Sequence, residues 1–162
     1  MTGEERIVAA ARSWIGTPYR HQASLRGVGC DCLGLVRGVW REVQGAEPEI
    51  VPPYSPDWAQ EAKEEAALTA AASGAPEPLL APEPLLDACA RHLRQAAGQE
   101  LSPGMVLAFR WRARLPAKHL AILSGAGRMI HAHDGAAVTE VALTPWWRRR
   151  LAAAYRFPEI RP

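Results

Sequence analysis

After Ser102-Pro103-Gly104 the hydrophobic pattern of this chain changes period and does not change back. Upstream, apolar residues recur every three or four positions, as one face of a helix requires. Downstream they fall into short runs separated by glycine and proline, which is how strands and turns read. Met105–Trp111, His119–Ser124, Arg128–His133 and Ala137–Leu143 are predicted strands. Thr144-Pro145 opens a tryptophan–arginine stretch, and Leu151–Phe157 predicts a last strand. Helices first and an antiparallel sheet afterwards define an α+β domain, with N-terminal helices packed on a C-terminal sheet. The 162 residues, 48% of them hydrophobic, suffice for one such domain with its own core.

The helical half divides into two textures. Thr2 and Glu5 have capping-box spacing, and Ile7, Val8, Ala11, Trp14 and Ile15 form a stripe. A first helix is expected from Gly3 to Trp14, stopped by Gly16 and Pro18. Tyr19–Gly29 reads as a glycine-bearing loop. A second helix follows, carried by Leu35, Val36, Val39, Trp40 and Val43 and ending near Gly45. From residue 47 to 100 the chain is rich in alanine and proline, with eight of its 14 prolines between Pro48 and Pro84. This is expected to be a helical insertion or connecting segment of the single domain 1–162, poor in chemistry, with helices at Asp57–Ala72 and Pro84–Ala97. Residues 75–80 and 81–86 repeat Ala-Pro-Glu-Pro-Leu-Leu, a local duplication too short for a repeat architecture.

Composition narrows the function classes. A net charge of +2 gives no argument for nucleic acid. No run is apolar for the length a membrane span needs. The first residues are acidic where a secretion signal would be basic. The chain is therefore expected to be made in the cytoplasm without a signal peptide, so that action outside the cell requires another carrier. Three cysteines, two of them only two residues apart, do not make a disulfide scaffold.

The chemistry concentrates at the start of the second helix. Extending its stripe backwards puts Cys32 in the first turn, with Asp31 as N-cap. A thiol there feels the positive end of the helix dipole, which favours the thiolate and makes a nucleophile. A lone cysteine is more often a small buried hydrophobe, so the reading needs a base. The sheet half supplies His119, His131 and His133. Along a strand, residues two apart share a face, and residues opposed on paired strands share it too. A hairpin centred on Gly125 would set His119 directly opposite His131. This requires an odd turn or a bulge within Leu123–Arg128. Cys32 would then attack a carbonyl, His119 would serve as base, and His131 would orient it. His133 is the alternative third residue. The oxyanion would meet backbone N–H groups at the helix start.

In these residues the chain resembles the NlpC-type cell-wall peptidases, papain-like cysteine peptidases of peptidoglycan. The resemblance rests on Gly16-Thr17-Pro18-Tyr19, Asp31-Cys32-Leu33-Gly34-Leu35, His119-Leu120-Ala121-Ile122-Leu123 and Met129-Ile130-His131-Ala132, in the family's order. It covers about residues 3–45 and 103–157. Trp14–Trp40 is similar to the branch found in tails of phages and gene transfer particles. The resemblance implies a papain-like fold with Cys32, His119 and His131 as catalytic residues. Tyr19 would line the site, and Asp31 would receive the free amine of a stem peptide. It also implies cleavage of the amide between the γ-carboxyl of D-glutamate and the diamino acid, in the periplasm or cell wall. The partners would be the stem peptide and tail hub or tail-tip proteins of a virion-like particle. No cofactor, metal, nucleic acid or membrane is called for. Leu33 departs from the serine common in the family, which bears on bond specificity.

Three other readings use the same residues. Cys30, Cys32, His131 and His133 could supply four zinc ligands, though structural zinc sites favour wider cysteine spacing. The same fold could host an acyltransferase or amidase. A tail-tip adaptor could keep the fold without turnover.

Overall fold

The computed structural model describes residues 1–78, 82–97 and 100–160. Helix α1, Gly3–Ser13, begins with the expected capping box: the Glu5 N–H donates to the Thr2 hydroxyl (3.1 Å) and the Thr2 N–H to the Glu5 carboxylate (2.7 Å). Two-residue strands β1 (Ser24–Leu25) and β2 (Gly29–Cys30) form a small ribbon within the expected loop. It leads into α2, Cys32–Gln44, which Asp31 caps through the Gly34 N–H (2.7 Å). Gly45, with a φ of 93°, ends α2 in a conformation that only glycine adopts without strain.

Helices α3 (Trp58–Ala72) and α4 (Pro84–His92) follow. The expectation of one helix to Ala97 is corrected here. The chain turns extended at Leu93, and Arg94–Gln95 becomes strand β3. Its partner explains the change: Arg94 and Gln95 pair with Arg156 and Tyr155 of the last strand, an alternative to helical hydrogen bonds that local sequence does not show. The two six-residue copies of the duplication run across residues 79–81, which lie outside the described residues.

The remaining strands are β4 (Val106–Phe109), β5 (His119–Gly125), β6 (Arg128–His131), β7 (Thr139–Ala142) and β8 (Leu151–Arg156), with a short helix α5 (Pro145–Arg148) before β8. Among the described residues they form an antiparallel sheet in the order β3-β8-β4-β5-β6-β7. Its two faces separate by residue parity. Val106, Ala108, Leu120, Ile122 and Ile130 join the main core with Ala11, Trp14, Leu35 and Val39 from α1 and α2. Met105, Leu107, Phe109, Ala121, Leu123 and Met129 form a second cluster, with Leu143 and the partly buried Trp147. Both faces are therefore buried, which is why β4 and β5 read as continuous apolar runs.

Two glycines set the seat of α2. A Cβ on Gly38 would lie 2.0 Å from the Trp14 ring, and one on Gly34 only 1.9 Å from the carbonyl oxygen of Ala23. The bare backbone lets α1 and the loop before β1 close onto the first turns of α2. The proline-rich segment also joins the main body. Leu85, Cys89 and Leu93 belong to the main core. Glu47 pairs with Arg37 and Arg41 of α2, while Glu49 pairs with Arg91 and His92 of α4. Among the described residues no helix is long and apolar enough to cross a membrane.

Candidate active site

The cleft is a cavity of about 940 Å³ between the head of α2, the head of β5, the strap 47–58 and α4. Cys32 opens α2, and His119 opens β5; both line this cavity. The Cys32 sulfur lies 3.8 Å from the carbonyl oxygen of Lys118, and the Leu120 N–H also stabilises it. The thiol thus rests on the backbone to either side of His119.

On the sheet, His119 Nε2 is 2.9 Å from His131 Nδ1, and both side chains are buried. The expected register needs correction. Ile122 pairs with Ile130 and Leu123 with Met129, and the irregularity between Leu123 and Gly125 falls inside the window expected for a bulge. These pairs place the two histidines on one face, as required, but diagonally and not directly opposite. Diagonal neighbours on a sheet remain within reach of a ring side chain. The exposed His133 brings its ring centroid to 5.6 Å from that of His119 in an edge contact, while its Nδ1 faces the carbonyl oxygen of Asp134 at 3.2 Å. Trp111 and Trp147 stack on the His119 ring at 5.2 and 5.5 Å between centroids and fix its plane.

Electrostatics differ from the expectation of a ready thiolate. Burial pushes the Cys32 thiol up to about 12, with Asp31 adding to the rise; the N–H groups of Leu120, Leu33 and Cys32 pull the other way without prevailing. The helix start acts in the expected direction, but desolvation outweighs it. Burial holds His119 well below 6.5, with His131 and His133 adding to the effect. Burial and then His133 lower His131 to about 4. At pH 7 Cys32 is therefore a neutral thiol, and His119 and His131 are neutral imidazoles.

Asp31 is 2% exposed. Its Oδ1 accepts from the Gly34 N–H, and its Oδ2 accepts from the Gln22 N–H (2.7 Å) and the Tyr54 hydroxyl. His21 Nδ1 stands 3.9 Å from the same oxygen. Tyr19 is held beside Cys30 by a β-bridge and lines the cavity. Its phenol is raised to about 12 by burial, then by Cys32 and Asp31.

The strap expected to be poor in chemistry supplies a wall of the cleft through Glu49, Val51, Tyr54 and Trp58. Sequence reasoning missed Tyr54, Trp111 and Trp147 at the site. Tyr54 lies among prolines with no period to orient it, whereas Trp147 had a faint signal in its tryptophan–arginine stretch. Cys30 is fully buried, and no group of three or more His, Cys, Asp or Glu gathers as a metal cluster among the described residues.

A helix headed by cysteine and packed on an antiparallel sheet that presents paired histidines is the papain-like arrangement. Residues 16–156 match the NlpC/P60 family, and the chain belongs to it. Among solved structures it is similar to NlpC2 from Trichomonas vaginalis, with a TM-score of 0.62 and 15% identity over 96% of this chain and 46% of that one. It is similar to an NlpC/P60 family protein from Bacillus cereus, with a TM-score of 0.60 and 18% identity over 95% of this chain and 40% of that one. The NlpC/P60 domain of the peptidoglycan hydrolase SagA aligns with a TM-score of 0.57 and 20% identity over 95% of this chain and 98% of that one. The chain thus spans less than half the length of the first two. No curated protein matches it.

Proposed function

We propose that the chain is a cysteine endopeptidase that hydrolyses peptidoglycan stem peptides at the amide between the D-glutamate γ-carboxyl and the diamino acid. The observation that carries the reading is the sulfur of Cys32 resting on the Lys118–Leu120 backbone, in one cleft with His119, whose ring is tied to buried His131. For His119 to accept a proton at Nδ1, its Nε2 must carry hydrogen and donate to His131 Nδ1. Cys32, His119 and His131 then act as nucleophile, base and orienting residue.

The thiol passes its proton to His119 Nδ1 as sulfur attacks the γ-carbonyl. N–H groups of Cys32 and Leu33, not used by the Asp31 cap, serve the developing oxyanion. His119 returns the proton to the departing amine of the diamino acid and leaves a thioester on Cys32. Water, deprotonated by His119, then hydrolyses that ester and restores the thiol. Because the resting groups are neutral, proton transfer accompanies attack. Tyr19 lines the thiol side of the cleft, and Asp31 holds the helix start.

The similarity of Trp14–Trp40 to tail modules supports a role in a phage-type tail, held by hub or tip proteins and acting in the periplasm or cell wall. The test is to incubate the protein and its Cys32→Ala variant with purified sacculi and identify the released peptides by mass. Fragments ending at D-glutamate, released only by the parent protein, are expected. Intact sacculi, or equal release by the variant, would refute the peptidase.

A further inference from the structure

The hydrogen bond between His119 and His131 needs both rings held in plane. Its donor N–H lies in the plane of one imidazole and its acceptor lone pair in the plane of the other. The rings stand 79° apart with their centroids at 5.1 Å. The ring torsion of a histidine is broad rather than staggered. The strands therefore set where each ring hangs without setting its plane, and the diagonal pairing leaves the reach to the side chains.

Trp147 touches both rings. Its indole lies nearly parallel to His119 (26°, 5.5 Å between centroids) and perpendicular to His131 (89°, 5.3 Å). Its own place is fixed from two sides. The fully buried Phe109 meets the indole edge-on at 5.0 Å. The Trp147 carbonyl oxygen accepts from the Arg150 N–H at 2.9 Å, and the Arg150 carbonyl oxygen accepts from the Arg110 N–H just beyond β4, also at 2.9 Å. Trp111 lines the cleft, whereas Trp147 and His131 do not. The partly exposed indole thus stands off the cleft, between solvent and two histidines that are 4% and 5% exposed.

We propose that Trp147 is a positioning residue: it holds the His119 ring in the plane from which Nε2 reaches His131, and it keeps water off that hydrogen bond. The assignment rests on the peptidase reading and adds to it a side chain that touches no substrate. His131 and His133 bear on the protonation of His119, and Cys32 of α2 shares its cleft. The indole brings no charge, so it acts on protonation through burial.

The test compares the parent protein with Trp147→Phe and Trp147→Ala, with thermal melts reporting folding. Cleavage of an alanyl-γ-D-glutamyl-diamino acid tripeptide is followed across pH, and imidazole NMR reads the tautomer and titration of His119. Trp147→Ala should lower kcat roughly tenfold at constant KM. Its acid limb should move up toward pH 6.5, because a hydrated imidazole protonates more readily. Trp147→Phe keeps a flat ring and should lose less. Parental kcat and acid limb in folded Trp147→Ala overturn the proposal, as does a loss expressed in KM. In the parent, NMR should find His119 protonated at Nε2 alone and untitrated between pH 5 and 7; mixed tautomers, or titration near 6.5, overturn the proposal even if Trp147→Ala fails to fold. The NMR needs no turnover. A His119 tautomer and titration changed by Trp147→Ala in a protein that never cleaves refute the peptidase and leave the Trp147 assignment standing, whereas an unchanged His119 overturns that assignment.

Discussion

Replacing His131 with alanine isolates the part of the site on which the proposed chemistry leans most. His119 Nε2 and His131 Nδ1 are 2.9 Å apart, and the two residues are 4% and 5% exposed. Removing the second ring leaves the His119 N–H without a partner where water scarcely reaches. An unsatisfied buried donor costs about 1–3 kcal/mol. Expressed in the transition state at about 1.4 kcal/mol per factor of ten, this predicts a kcat lower by roughly ten- to a hundredfold. KM should change little, because His131 does not line the cleft. His131→Asn retains an acceptor and should recover part of the loss. His133→Ala is the control: that ring is exposed and hydrogen-bonds the Asp134 carbonyl rather than His119. The assay is steady-state cleavage of a stem tripeptide across pH, with thermal melts for each variant. Wild-type kcat in a folded His131→Ala protein, or an equal loss in His133→Ala, would refute the reasoning.

Two predictions concern protonation. With Cys32 raised to about 12 and the His119 imidazole neutral, iodoacetamide should alkylate the protein slowly at pH 7 and faster as pH rises; fast alkylation persisting to pH 5 would show a preformed ion pair. His131 falls from 6.5 to about 4 on folding, so between those values the unfolded chain holds a proton that the folded chain lacks. Stability is therefore full above pH 6.5 and is lost as pH falls toward 4, by at most about 1.4 kcal/mol per pH unit from this group; denaturant unfolding of parent and His131→Asn should show a shallower acid slope in the variant.

Sequence determined what is local. The capping box of α1, the Asp31 cap, the thiol at the head of α2 and the glycine after it all depend on residues within a few positions of one another. Strand parity within β5 and within β6 was local too, but whether His119 and His131 share a face hung on the register of the hairpin. That register was not local: the turn pairs Gly125 with Arg128, and only the one-residue shift before Leu123–Met129 brings the two histidines onto one face, as diagonal neighbours. The end of α4 likewise depended on a distant partner, since Arg94 and Gln95 leave the helix to pair with β8.

Only tertiary structure decided the electrostatic state and the far wall of the cleft. A helix start favours a thiolate wherever it lies, but the environment packed around Cys32 desolvates it and reverses the outcome. Tyr54 sits in an irregular proline-rich strap, where no hydrophobic period records which way a side chain points. Its meeting with Asp31 arises from chain closure across 23 residues. Periodicity specifies faces within an element; burial and contacts between irregular segments exist only once the elements have packed.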